Sequence, residues 1–157
     1  MNLSEIYREE TILDDLQCTT KNEVIEEMVT ALRETKALPA KQCGDILRAI
    51  IRREEMGSTG IGRGVAVPHV KHPGAKSVVG ALGRSKSGIE FQALDGAPVH
   101  LVFLLVSPYD SVEPHLNALK RISAVAADND MRRFLMQAKN RSEIAELMAE
   151  ADEKLVS

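Results

Sequence analysis

The sequence predicts an α/β fold in which helices flank a mixed central β-sheet on both faces. Apolar residues recur at helical spacing in the first and last thirds of the chain, whereas the middle third contains short β-branched segments. Within that middle third, residues 101–106 form a continuous apolar run, which is typical of a strand buried on both faces. Such a strand needs a helical layer above and below it. With 157 residues, we expect a single three-layer α/β/α domain spanning residues 1–157.

Two amphipathic helices are predicted before the sheet, after an edge strand or single turn over residues 12–16. Thr20 and Glu23 form a possible capping box for the first helix. Its apolar positions recur every three or four residues: Val24, Ile25, Met28, Val29 and Leu32. The second helix ends near Met56-Gly57, and its apolar stripe consists of Ile46, Leu47, Ile50 and Ile51. Arg53 is therefore expected in the last turn of that helix.

Three strands are predicted in the middle of the chain. Val65-Ala66-Val67 is short and mostly β-branched, and Pro68 follows it, so we expect a strand that brings His69 to an edge or end of the sheet. A second strand contains Val78, Val79, Ala81 and Leu82. The third strand covers residues 98–106, after an Asp95-Gly96 turn.

Helices are predicted again after the sheet. Asp110 is expected to cap the first of them with Glu113 three positions later, and its inward face is predicted to contain Leu116, Leu119, Ile122 and Ala126. His115 lies in the first turns of this helix, where its position alone predicts a ring exposed to water. Two further helices are predicted around residues 131–138 and 142–154, the second with Ile144, Leu147 and Met148 facing inward.

Composition and charge argue against several classes of partner. A net charge of −3, two tyrosines and three phenylalanines disfavour nucleic-acid binding, which usually needs a basic face or aromatic stacking. Cys18 and Cys43 lack CxxC or zinc-ligand spacing, so reduced thiols in a cytoplasmic protein are expected. The amino terminus has no apolar signal core, and no apolar run is long enough to cross a bilayer, so we expect neither secretion nor direct membrane insertion.

The residues from Arg53 to His69 combine a cation, four glycines, two hydroxyls and a histidine that follows a proline. A neutral imidazole is nucleophilic near neutral pH, can be phosphorylated on a ring nitrogen and can release the phosphoryl group again. An isolated histidine more often makes a structural hydrogen bond in a loop, but these neighbours favour His69 as a phosphoryl carrier. The glycines match neither GxxxxGK[ST] nor GxGxxG, which argues against a nucleotide site.

Arg53 and His115 are candidate donors to a phosphoryl group, because phosphoryl transfer is catalysed mainly by positioning and by donors aimed at the phosphoryl oxygens. From spacing alone, Arg53 is better explained as a solvated arginine within the run Arg52-Arg53-Glu54-Glu55. Ser58 and Thr59 are second-rank candidates for phosphate contacts, since hydroxyls beside glycines occur equally often in loops that terminate helices.

The segment from Arg53 to His69 resembles the signature of the fructose/mannitol-type enzyme IIA domains of the phosphoenolpyruvate-dependent phosphotransferase system, a family that includes the nitrogen-regulatory IIA type. Its sequence is REEMGSTGIGRGVAVPH. Further residues match the same family in order: Phe91, Asp95-Gly96, Pro98-Val99, Leu101-Val102-Phe103-Leu104-Leu105, His115-Leu116 and Leu119. The match covers nearly the whole chain, and the signature is far longer than a single glycine motif.

The resemblance implies a mixed sheet between helical layers and a phosphocarrier function. His69 would accept a phosphoryl group from the phosphohistidine of the carrier protein HPr and pass it to a cysteine of an enzyme IIB domain. Arg53 and His115 match the family's site partners, and they would stabilise the phosphoryl group and orient the acceptor imidazole. No metal or other cofactor is needed for this exchange.

The resemblance leaves two functions open, and the residues themselves suggest a third. A free-standing IIA protein serves either a sugar pathway or, as a phosphorylation-switched binding protein without onward transfer, nitrogen regulation. The Gly-Ser-Thr-Gly-Ile-Gly run at residues 57–62 is shared with the regulatory type and favours it without deciding the matter. The third function is a metal-dependent hydrolase, but the four histidines, His69, His72, His100 and His115, have no metal-ligand spacing.

Overall fold

Residues 1–155, the part of the chain that the computed structural model describes, fold around a six-stranded mixed sheet. The strands are β1 (Ile12–Leu13), β2 (Gly60–Gly62), β3 (Val65–Ala66), β4 (His69–His72), β5 (Val79–Ile89) and β6 (Val99–Pro108). The helices are α1 (Leu3–Ile6), α2 (Lys21–Glu34), α3 (Ala40–Glu55), α4 (Val112–Ala127), α5 (Asn129–Gln137) and α6 (Arg141–Lys154), and a short 3-10 turn (Glu9–Thr11) precedes β1. Within the described residues, none of these helices has the length and apolarity needed to cross a membrane.

The strand that organises the sheet is β6, which pairs with three other strands. β5 runs antiparallel to it, while β3 and β4 pair one after the other with its opposite edge, both in parallel. The register places Ala66 beside Val102 and His69 beside Leu105. Val67-Pro68 separates β3 from β4, because proline has no N–H to donate to a ladder. The predicted strand before His69 is confirmed, and His69 itself begins a further strand.

Successive residues of β6 face opposite helical layers. Its odd-numbered residues pack with α1, α4, α5 and α6: Leu101, Phe103 and Leu105. Its even-numbered residues pack with α2 and α3: Val102, Leu104 and Val106. The strand predicted from the apolar run is therefore buried on both faces, and the three-layer α/β/α class is confirmed.

The start of α4 and one of its inward positions differ from the prediction. Ser111, rather than Asp110, is the N-cap residue, so the helix begins at Val112. Leu116, predicted to face inward, is 58% exposed. Ile122 and Ala126 are buried as predicted, and His115, Ala118 and Val125 complete the buried stripe. Because α4 has apolar side chains on more than one face, periodicity alone could not determine the edge of the face that packs against the sheet.

The glycine-rich stretch forms a strand that the sequence did not predict. β2 pairs antiparallel with β3 and forms the end of the sheet beyond it. Gly60 packs so closely against Ala93 that an added Cβ would lie 2.8 Å from the Ala93 Cβ. Gly64, in the turn between the two strands, has a φ of +78°, a conformation that side chains rarely adopt. These two glycines are therefore required by packing and by the turn.

Candidate functional site

The structure brings the three predicted site residues into one open cleft of about 320 Å³, which we call the His69 cleft. Its lining consists of Arg53, His69, Val70, Lys71, Val112, His115, Leu116 and Leu119. The lining comes from the end of α3, from β4 and from the start of α4. Residues far apart in sequence thus meet where α4 covers the beginning of β4.

His69 is held by its own backbone neighbourhood. Its Nδ1 lies 2.7 Å from the carbonyl oxygen of Val67. A carbonyl oxygen only accepts, so we assign the ring N–H to Nδ1, which leaves the lone pair on Nε2. The Pro68 carbonyl accepts a 2.9 Å hydrogen bond from the Leu105 N–H, which fixes the start of β4 against β6. His69 therefore presents an oriented ring with a free nucleophilic nitrogen.

His115 is buried, with 5% exposure, so the expectation of a ring exposed to water is wrong. His115 lies on the same face of α4 as Ala118 and Ile122, which belong to the core. Its Nδ1 lies 2.7 Å from Oγ of Ser107, a fully buried residue at the end of β6. The rings of His115 and His69 are 5.5 Å apart between centroids.

The surroundings of His115 keep it neutral. Burial, reinforced by the charges of His69 and Lys71, lowers the pKa of His115 from 6.5 to about 4. The Ser107 hydroxyl has no other hydrogen-bond partner within residues 1–155, so we assign it as the donor to Nδ1. The single N–H of the neutral ring is then on Nε2, where it can donate to an oxyanion.

Arg53 lies in the last turn of α3, as predicted. One of its terminal nitrogens, Nη1, donates a 2.9 Å hydrogen bond to the carbonyl oxygen of Gly57. Within residues 1–155 it forms no ion pair, so the surface pairing that spacing alone suggested is not made. The guanidinium is thereby tethered at one corner, with further N–H donors available at the cleft.

The two hydroxyls of the glycine segment, which we define as residues 57–64, lie outside the lining of the His69 cleft. Ser58 Oγ donates to the Phe91 carbonyl and accepts from the Gly60 N–H at 3.0 Å. Thr59 donates its hydroxyl and its backbone N–H to the buried Glu54 carboxylate. Glu54 also forms a 2.8 Å ion pair with Lys21 on α2. The hydrogen bonds of Ser58 and Thr59 thus maintain the conformation of the glycine segment.

The remaining histidines have structural partners away from the cleft. His72 Nε2 lies 2.6 Å from Oδ2 of Asp45, and its Nδ1 accepts a 2.9 Å hydrogen bond from the Gly74 N–H. His100 Nδ1 lies 2.8 Å from the Ser85 carbonyl oxygen. Within residues 1–155, no three histidine, cysteine or acidic side chains are grouped to hold a metal ion. The four histidines of the hydrolase hypothesis are therefore not brought together.

Sequence reasoning missed two polar residues of the site. Ser107, which orients His115, closes the apolar run of β6, and Lys71 lines the cleft. Lys71 had a usable signal, because residues two apart on a strand share a face, but His69 was not predicted to lie within a strand. The role of Ser107 depends on where α4 crosses the end of β6, and no local pattern encodes that crossing.

The chain is similar to known proteins over nearly its full length. Residues 5–151 match the family model of the phosphoenolpyruvate-dependent sugar phosphotransferase system, EIIA 2. The fructose-specific EIIABC component of the phosphotransferase system of Bacillus subtilis (strain 168) is 35% identical over 152 residues, which cover 97% of this chain and 24% of that protein. A nitrogen regulatory protein of Bradyrhizobium diazoefficiens is 31% identical over 149 residues, 95% of each chain.

Solved structures show the same fold. Nitrogen regulatory protein IIA-Ntr from Neisseria meningitidis has a TM-score of 0.85 at 31% identity, covering 93% of this chain and 98% of that one. A complex of enzyme IIAMTL and phosphorylated enzyme IIBMTL from Escherichia coli contains a chain with a TM-score of 0.77 at 17% identity, covering 92% and 99%, a likeness of fold alone. With the family match over residues 5–151, these findings identify the chain as a member of the enzyme IIA type 2 family of the phosphoenolpyruvate-dependent sugar phosphotransferase system.

Proposed function

We propose that the protein is a phosphocarrier in which Nε2 of His69 accepts a phosphoryl group. The observation that carries this proposal is the 2.7 Å contact between Nδ1 of His69 and the Val67 carbonyl oxygen. It holds the ring and leaves the Nε2 lone pair for attack, in a cleft shared with Arg53 and His115. His69 is thus both oriented and nucleophilic, which a carrier requires.

The proposed exchange balances without a proton acceptor. The Nε2 lone pair of His69 forms the new P–N bond, while the P–N bond of the donor phosphohistidine breaks and its electron pair returns to the donor ring. Each ring keeps its own N–H throughout. In onward transfer a thiolate attacks the phosphorus, and the electron pair of the broken P–N bond returns to Nε2 of His69.

Arg53 and His115 stabilise the phosphoryl group in this proposal. Negative charge spreads over the equatorial oxygens in the loose transition state of phosphoryl transfer. The Arg53 guanidinium contributes charge and N–H donors, and the neutral His115 contributes one N–H from Nε2. Both groups are anchored, Arg53 by Gly57 and His115 by Ser107, so little reorganisation is needed when the charge develops.

The surface beside the cleft suits protein partners. Tyr109, Val112 and Leu116 are 69%, 48% and 58% exposed, respectively. Exposed apolar side chains grouped at a polar site are typical of a protein contact. We propose an HPr-like phosphocarrier protein as the donor and the cysteine of an enzyme IIB domain as the acceptor, docking in turn at this face in the cytoplasm.

A second candidate is a phosphorylation-switched regulatory protein that does not pass the group on. The similarity to a nitrogen regulatory protein, 31% identical over 149 residues, favours it. In that case the two negative charges added at His69 would change which partner binds the apolar face around the cleft.

The primary test is to incubate the protein with enzyme I, HPr and labelled phosphoenolpyruvate and to map the labelled residue. We expect label on His69, none in His69→Ala, and reduced but persistent label on His69 in His115→Ala. His72→Gln is a suitable control, because it changes a histidine of the same strand whose ring is held by Asp45 outside the cleft. Label in a folded His69→Ala variant would contradict the proposal.

Onward transfer separates the two candidates. The isolated phosphoprotein is mixed with a panel of enzyme IIB domains, and the loss of label from His69 is followed together with its gain on a IIB cysteine. Rapid, cysteine-dependent loss supports the carrier, whereas persistent label and a partner captured by only one phosphorylation state support the regulatory protein.

A further inference from the structure

Lys71 lies beside both histidines of the site, although neither the sequence nor the family match assigned it a role. It follows His69 by two positions on β4, so the two side chains share a face of the strand. Lys71 also pairs in register with Ser107, the residue that contacts His115. The same face of the sheet therefore carries His69, Lys71 and the anchor of His115.

The lining of the His69 cleft contains two positively charged side chains and no carboxylate. Among its lining residues, Arg53 and Lys71 carry positive charge, and none is acidic. Arg53 donates one hydrogen bond to the Gly57 carbonyl, whereas the Lys71 ammonium has no hydrogen-bond or ion-pair partner within residues 1–155. A phosphoryl group carries about two negative charges at neutral pH. One guanidinium does not balance that charge, and a second cation on the same face would.

Lys71 borders the same cleft as the two histidine rings, and its charge affects one of them. Burial is the largest cause of the lowered pKa of His115, and the charge of Lys71 adds to it. The cleft lining contains Lys71 together with His69 and His115, so the side chain and both rings border the same space.

We propose that Lys71 is the second phosphoryl-binding cation of the site, donating from Nζ to an oxygen of the group carried on Nε2 of His69. This inference rests on the proposed function. Lys71 gives up no proton in the exchange: its ammonium stays charged while the P–N bond forms at His69 and the donor P–N bond breaks. It stabilises the phosphorylated state and the transition state, and Arg53 binds the group from the end of α3.

The alternative role for an exposed lysine beside a docking face is contact with an acidic partner. Measurements on the isolated phosphoprotein separate the two roles, because a docking residue has no effect when the partner is absent. The variants are Lys71→Met, which removes the charge, and Lys71→Arg, which keeps it. Lys120→Met is the matched control, since Lys120 is an exposed lysine of α4 outside the cleft lining.

Two readouts test the proposal. The first is the pH titration of the 31P chemical shift of the phosphoprotein, in which loss of a neighbouring cation raises the pKa of the phosphoryl oxygens. The second is the equilibrium between phosphorylated donor and this protein, which we expect Lys71→Met to shift towards the donor by about fivefold or more. Lys71→Arg is expected to retain most of both effects, and Lys120→Met to resemble the wild type.

The outcomes distinguish this inference from the proposed function. If His69 of the wild type takes no label, the proposed function fails. If His69 is labelled and Lys71→Met matches the wild type in both readouts, only the role of Lys71 is overturned. A Lys71→Met defect confined to the transfer rate at subsaturating donor would also overturn it, by showing a docking residue instead.

Discussion

The glycine segment and the His69 cleft contain similar polar side chains but use their hydrogen bonds differently. In the segment, Ser58 and Thr59 are committed to Phe91 and Glu54. In the cleft, His69 and His115 each commit one ring nitrogen, to Val67 and Ser107. Each of these two rings therefore retains a second nitrogen for a ligand. A segment rich in glycine and hydroxyl side chains does not by itself mark the reactive site. The reactive site lies where hydrogen-bond donors and lone pairs have no partner within residues 1–155.

Replacing Glu54 tests whether the glycine segment is structural. Glu54→Ala leaves Lys21 and Thr59 without their buried partner, and we expect a loss of about 3 kcal/mol in the free energy of unfolding, with label still accepted at His69. Urea unfolding and the labelling assay measure the two quantities. Glu55→Ala, in the same turn and exposed, is the control and is expected to change stability by less than about 0.5 kcal/mol. Loss of labelling in a folded Glu54→Ala protein would place the segment in the chemistry.

The neutral state of His115 predicts a pH dependence of stability. Its pKa of about 4 lies below the ordinary 6.5, so between these values the unfolded chain binds a proton that the folded protein does not. The stabilisation is therefore complete above about pH 6.5 and is lost as the pH falls towards 4, up to about 3 kcal/mol. Urea unfolding at a series of pH values should show a shallower fall in His115→Gln than in the wild type. Equal falls would mean that His115 is not held neutral.

Replacing Arg53 tests whether the cleft residues stabilise the phosphoryl group. Arg53→Gln removes the charge at similar size, and we expect the single-turnover rate of labelling at saturating donor to fall by roughly tenfold to a hundredfold. Circular dichroism should be unchanged, because the main tether of Arg53 is one hydrogen bond to Gly57. The neighbouring exposed Arg52→Gln serves as the control. A rate equal to the wild type would remove Arg53 from the site.

Replacing Ser58 tests the glycine segment at a single hydroxyl. Ser58→Ala leaves the Phe91 carbonyl and the Gly60 N–H without this partner, so we expect a loss of about 1 kcal/mol in stability and an unchanged labelling rate. Ser87→Ala, at an exposed position of β5, is a suitable comparison. Slower labelling without a change in stability would indicate that the segment contacts the phosphoryl group after all.

Much of the fold could be predicted because its elements have strong local patterns. The apolar run of β6 and the apolar stripe of α3 were identified from the sequence, and so was the place of Arg53 in the last turn of α3. The strand β2 could not be predicted, because glycines have low strand propensity and Gly60–Gly62 pairs only where β3 is already in place. One edge of the buried face of α4 was missed for another reason: Leu116 is apolar yet exposed, and His115 is polar yet buried.

The three-layer class, the helices α2 to α6, the strands β3, β5 and β6, and the segment from Arg53 to His69 that identifies the family all follow from the sequence. These features depend on periodicity and on residues adjacent in the chain. Three other features could be read only from the folded protein: His115 is buried and neutral, Lys71 shares the face of His69, and Ser58 and Thr59 bond internally. Each of them depends on how elements pair and pack: the register of β4 on β6, the crossing of α4 over Ser107, and a carboxylate of α3 that bonds the segment following it.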